Sequence, residues 1–196
     1  MLPADVDPMS RCRLPLVKRE ALDEEGQRQF DVNVDPNGGT LRGLIGPGGI
    51  QLHSSHLAAL ARPVNRYLRF ETGFSPYRRE VAVLITAREC DSAFEWAAHE
   101  PEALKQGVPQ AVIDVIKFRR PTAGLPAEDA LIIALGREIF GTRKVSSQTY
   151  AKALAHFGQK GLVDLVSLMG NYAATAALLC AFDMQVDDDA TALLPA

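Results

Sequence analysis

The chain has 196 residues, 47% of them hydrophobic, and a formal net charge of −3. That is the length of one ordinary domain, with enough apolar side chains for a core that needs no covalent staples. The 21 basic residues are scattered along the chain, which leaves no basic face for a phosphate backbone and argues against nucleic acid as a partner.

Residues 1–50 read as an irregular N-terminal arm. The opening MLPADVDPMS carries acids and prolines where a signal peptide needs a basic start and an apolar run. Residues 20–30 (EALDEEGQRQF) fit a short helix. The segment that follows, DVNVDPNGGTLRGLIGPGGI, is too rich in glycine and proline for regular structure. Long irregular segments in compact domains often serve function. This one is expected over a pocket or against a neighbouring subunit.

Residues 51–186 read as a helical domain. A helical period begins near His56, with Pro63 expected to bend or split that helix. Ser75-Pro76 caps and opens the next one. Its sequence, YRREVAVLITARE, is apolar around most of its circumference and belongs at the centre of a bundle. A run from Ala93 stops at Gly107, one from Pro109 stops before Pro121, and one from Pro126 stops at Gly141. Ser146-Ser147 caps a further helix that ends at Gly158, and a last long one continues to Phe182. No hairpin or strand alternation competes with this pattern, so the fold class is all-α. The acidic tail, 187–196, is expected to be disordered.

Three cysteines, Cys12, Cys90 and Cys180, are odd in number and widely spaced, as free thiols of a reducing compartment are. The run Ala173–Phe182 falls short of a membrane span. A soluble, cytoplasmic protein is the expectation, with no membrane partner.

The segment EVAVLITARECDSAFEWAAH carries the chemistry. Ser92, Glu95 and His99 are spaced i, i+3, i+7, within roughly a 60° sector of one helix. A carboxylate beside an imidazole fixes its tautomer, and a glutamate on an apolar helix is desolvated and holds its proton more tightly. Glu80, on the preceding helix, meets this face if the two helices pack side by side. Spacing alone leaves the ordinary alternative open, because i, i+4 Glu/His pairs are common on exposed helix faces.

The run RREVAVLITARE…FEWAAHEPEALKQGVPQAVIDVI resembles the core motif of the carboxymuconolactone decarboxylase family, which also contains the alkylhydroperoxidase D-like proteins. The later stretch VSSQTYAKALAHFGQKGLVDLVSLMGNYAATAALL resembles the family's C-terminal helices. Glu80, His99 and Gly107 match the family's glutamate, histidine and glycine. The peroxidase branch carries Cys-x-x-Cys where this chain has Ser92 and Glu95, so a disulfide cycle is unavailable here, and Glu95-Trp96 resembles the non-redox branch.

The resemblance implies an alkylhydroperoxidase D-like helical bundle that self-associates as a homodimer, homotrimer or homohexamer. It implies a lyase, without metal or organic cofactor, acting on a small carboxylated unsaturated lactone or related acid. Glu80, Glu95 and His99 are then the expected catalytic residues. Ser92, Trp96, His56, Arg79, Asn171 and Tyr172 are the expected substrate-binding residues. A peroxidase-related antioxidant role and a non-catalytic oligomeric binding protein are the alternatives. His53 and His56 are too few for a metal site.

Overall fold

The structure is a computed structural model that describes residues 2–38, 40–188, 190, 191 and 193–195. Among these residues there are eight α-helices and no strand, so the fold is all-α. They are α1 (Glu24–Val34), α2 (Pro47–Leu52), α3 (Ser55–Arg66), α4 (Pro76–Glu89), α5 (Ala93–Lys105), α6 (Gln110–Lys117), α7 (Ala127–Gly136) and α8 (Ser147–Ala181). The ends follow from local chemistry. The Ser75 hydroxyl accepts from the Arg78 amide and the Ser146 hydroxyl from the Thr149 amide, satisfying donors that the first helical turn leaves open.

α4 is the central helix. Val81, Ala82, Val83, Leu84 and Ile85 are all 0% exposed, and α5, α6, α7 and α8 pack around it. Each such branched side chain contributes about 1.5–3 kcal/mol by leaving water. α7 approaches α4 closely at Gly136. A Cβ at Gly136 would stand 2.7 Å from Ile85 Cγ1, so only glycine lets the two backbones come this near. The hydrogen-bonded pair Arg78–Glu128, with His156 also on Glu128, ties α4, α7 and α8 together at one end.

Several joints differ from their sequence reading. Pro63 stays inside α3, which continues into a π-helical turn, Tyr67–Glu71. A second π-helical turn, Arg137–Thr142, prolongs α7. Helical geometry resumes after Gly158, whose φ of 68° and ψ of 174° break α8 internally. The break is thus where the sequence puts a helix end, but the two parts abut without a loop.

The region 1–50, read as irregular apart from a short helix over 20–30, contains α1 at Glu24–Val34 and most of α2. Asp23 caps α1 by accepting from the Gly26 amide at 2.8 Å, and Pro47 sits in the first turn of α2. These devices outweigh the local glycine content. The first residues run along the end of α8. The Arg13 amide donates to the Phe182 carbonyl, and the Gln185 amide donates to the Arg11 carbonyl. Cys12 is buried there with Ile50, Phe94, Leu179 and Met184, while Cys180 is exposed. Of the tail read as disordered, Asp187 is paired with Arg11 and Arg42. The reading at 189, 192 and 196 lies outside the described residues.

α8 also corrects the reading of apolar length. By length and composition alone it could cross a membrane. In this fold Leu165, Leu168 and Met169 on one of its faces are fully buried in the core.

Candidate active site

α4 and α5 form a helical hairpin closed by Asp91, which takes the left-handed conformation at φ 47°. The hairpin sets the N-terminal half of α4 against the middle of α5. Glu80 and His99 meet there, 1% and 4% exposed. His99 Nδ1 lies 2.7 Å from Glu80 Oε2, and Glu80 Oε1 accepts from Arg79 Nε at 3.1 Å. One turn back on α5, Glu95 Oε2 stands 3.5 Å from His99 Nε2. Each imidazole nitrogen therefore faces a carboxylate. The Tyr172 ring of α8 packs edge-on to His99, with centroids 5.2 Å apart and planes at 84°.

The two carboxyls are driven in opposite directions. Burial pushes Glu80 up, but the hydrogen bond and charge of His99, then those of Arg79, outweigh it and hold Glu80 below the usual carboxylate value. Glu80 thus accepts, and His99 Nδ1–H donates, which leaves Nε2 as the working nitrogen. Burial raises Glu95, and the charges of His99 and Arg69 only partly offset it. Two nearby acids with separated affinities for protons are the usual basis of an acid/base division of labour. Tyr172 is also raised, mainly by burial, and stays a neutral phenol.

A cavity of about 790 Å³ opens on Glu95, His99, Asn171 and Tyr172. Its walls come from α1, α3 and its π-helical turn, described residues between Asn37 and Gln51, α5 and α8. π-helical turns recur at functional sites, and here the turn supplies Arg69 and Phe70 to the wall. The glycine-rich segment expected over a pocket does line it, through Arg42, Gly43 and Gly48 among others.

The remaining sequence-expected residues lie elsewhere. Ser92 is buried but precedes the first turn of α5, so the angular argument from helix geometry does not reach it. Trp96 turns away into the core. Its Nε1 donates to Glu100 Oε2 at 2.7 Å, and Lys117 sits over its ring. His56 is exposed on α3 and pairs with Glu25 at 3.2 Å. Arg79 stands behind Glu80 rather than in the cavity wall. Its Nη1 donates to the Arg69 carbonyl at 2.9 Å. Cavity residues missed in the sequence include Arg62, Arg69, Phe70 and Thr175. The only signal for the first two was the Arg62, Arg66, Arg69 spacing along α3 and its π-helical turn, which reads equally well as a solvated face. Among the described residues no cluster of three or more His, Cys, Asp or Glu side chains is arranged to hold a metal ion.

The sequence matches no protein-family model and no curated protein.

Proposed function

We propose that this chain is an acid–base enzyme of the carboxymuconolactone decarboxylase type, a lyase acting on a small carboxylated unsaturated lactone or related acid. The observation that carries the reading is His99 held between Glu80 and Glu95 at a cavity wall, 2.7 Å from one and 3.5 Å from the other. In the reaction, the bond from carbon to the substrate carboxylate breaks and carbon dioxide leaves. The electron pair flows into the conjugated carbonyl. The resulting enolate then takes a proton on carbon from the His99 Nε2–Glu95 pair, which is recharged from water. Glu80 fixes the imidazole through Nδ1, and Arg79 holds Glu80. Every proton in this scheme moves through side chains of the chain, with no added cofactor in any step.

The test is carbon dioxide release from a panel of carboxylated unsaturated lactones, run in deuterium oxide. Turnover with one deuterium delivered to the product carbon supports the reading. Ligand binding without turnover, unchanged in His99→Ala, would replace it with a binding protein of the same fold. The redox alternative is tested by hydroperoxide loss with a dithiol reductant. Burial, then the Asp91 and Glu89 charges, pushes the Cys90 thiol up, away from the reactive thiolate. No turnover dependent on Cys12, Cys90 or Cys180 is expected, and a triple serine variant that abolishes one would establish the redox role.

A further inference from the structure

Arg62 is a cavity-lining cation held entirely by neutral groups. Its Nε donates to Gln29 Oε1 at 2.5 Å, and its Nη2 donates to Asn33 Oδ1 at 2.7 Å and to the Gln29 carbonyl at 3.2 Å. Asn33 is itself fixed, because its Nδ2 donates to the Gly48 carbonyl at 3.2 Å. Among the described residues, Nη1 has no hydrogen-bond partner and no carboxylate pairs with this guanidinium. The nearby acids of the cavity are engaged elsewhere: Glu71 with Arg66 at 2.9 Å, and Glu95 facing His99. Of the other arginines on the cavity wall, Arg42 is paired with Asp187 and Arg66 with Glu71.

A half-buried charge without a counter-charge is costly unless something pairs with it. A guanidinium locked in place by its side-chain partners has little entropy left to lose on taking an oxyanion. Arg62 lies seven residues before Arg69 on the same wall, roughly 10 Å along the helix. Arg69 is the end near Glu95, whose carboxyl feels its charge. The cavity, at about 790 Å³, is in the upper part of the ~300–1,000 Å³ range of small-molecule sites and holds much more than one small ring.

We propose that Arg62 is an anchor for a remote oxyanion, so that the cavity takes an elongated acid whose far end is bound by Arg62 while the near end reaches His99. The anchor stands on the geometry of Arg62; only the role of the near end rests on the acid–base reading. A carboxylate and a phosphate present the same oxyanion to the guanidinium.

The experiment is calorimetric titration of the wild-type protein, Arg62→Met and Arg62→Lys with three probes. These are azelate, crotonate as an acid too short to span the cavity, and the ω-phosphono analogue of azelate with the same chain length. Azelate should bind wild type, weaken about tenfold or more in Arg62→Met, and recover in part in Arg62→Lys. Crotonate should be indifferent to both substitutions. Tighter binding of the phosphono analogue would identify phosphate as the natural end group, and equal or weaker binding would identify carboxylate. Failure of azelate to bind wild type overturns the anchor, as does an equal loss of azelate and crotonate in Arg62→Met. If Arg62→Met does not fold, azelate and its monomethyl ester on wild type decide the matter, with equal affinities overturning the proposal. Arg62-dependent binding of azelate supports the anchor whether or not any lactone is turned over, so the two readings fail separately.

Discussion

Glu80 accepts from His99 Nδ1 at 2.7 Å across a helical hairpin, although nineteen residues separate them. This single bond commits the imidazole to one tautomer and aims Nε2 at Glu95 beside the cavity. The hairpin turn at Asp91 sets the register that makes it possible. A one-residue change in the turn would rotate His99 by about 100° around α5 and separate the pair.

His99→Ala should lower turnover by about 10²–10⁴-fold, the usual contribution of a general acid or base. Ser92→Ala should leave turnover near wild type, because Ser92 lies before α5 and makes no side-chain cap bond. Steady-state kinetics on the two variants checks both. An active His99→Ala protein beside an inactive Ser92→Ala protein would point to a serine-centred mechanism instead.

Self-association is expected through exposed apolar surface. Leu57, Leu60 and Val64, at 49%, 60% and 53% exposure, form a stripe on α3, and Val163 on α8 is 64% exposed. The π-helical turn that prolongs α3 is tied to α8 by the Tyr67 hydroxyl, which donates to Asp164 Oδ1 at 3.2 Å. Apolar patches of this kind mark contact surfaces, and closed symmetry is the common outcome. Light scattering on dilute protein should give a multiple of 21.3 kDa. A single monodisperse 21.3 kDa species would refute the expectation, and Leu60→Glu should shift the multimer toward monomer.

On the proposed acid–base reading, Arg79 is a positioning residue that works through Glu80, since it bonds Glu80 without lining the cavity. Arg79→Met removes the 3.1 Å bond and a positive charge that help keep Glu80 ionised. The Glu80 carboxyl then rises, and the acid limb of the kcat/KM profile should move to higher pH. Arg79→Lys should move it back part of the way. KM should change less than kcat, because no cavity wall is lost. A pH profile identical to wild type in Arg79→Met, with only reduced thermal stability, would make Arg79 merely structural.

Helix type and most helix ends were legible because caps, prolines and apolar periods are local signals. Ser75, Gly107 and Pro126 mark ends that the structure keeps within a residue or two. Spacing put Glu95 and His99 on one helical face for the same reason, and the structure has them 3.5 Å apart there. Ser92 is the N-cap of α5 with extended backbone, φ −83° and ψ 92°, so the helical wheel drawn through Glu95 and His99 does not extend to it. Trp96 was drawn in by its neighbour Glu95, but one residue along a helix turns a side chain by about 100°, here into the core. The role of Arg62 and the π-helical turn at Tyr67–Glu71 could not be told from a solvated helix face. Their meaning depends on which face of α3 meets the cavity, and that is a property of packing.

The opposite displacements of Glu80 and Glu95 make opposite predictions for stability against pH. Glu80 is held below its usual 4.5 in the folded state. Its contribution is therefore present above 4.5 and lost as pH falls through the lower folded value. Glu95 is held above 4.5. Its contribution is full below 4.5 and lost as pH rises through the higher folded value, because ionising a buried carboxyl favours the unfolded chain. Glu80→Gln should thus cost about 3–5 kcal/mol near neutral pH, as breaking a buried pair does, and the deficit should shrink under acid. Glu95→Gln cannot ionise, so its melting temperature should gain on wild type steadily as pH rises above 4.5. Thermal melts of the three proteins across the acid-to-neutral range measure both trends. A Glu95→Gln protein whose deficit grew with pH would show that Glu95 is needed in its charged form, and would move the proton-donor role to His99 alone.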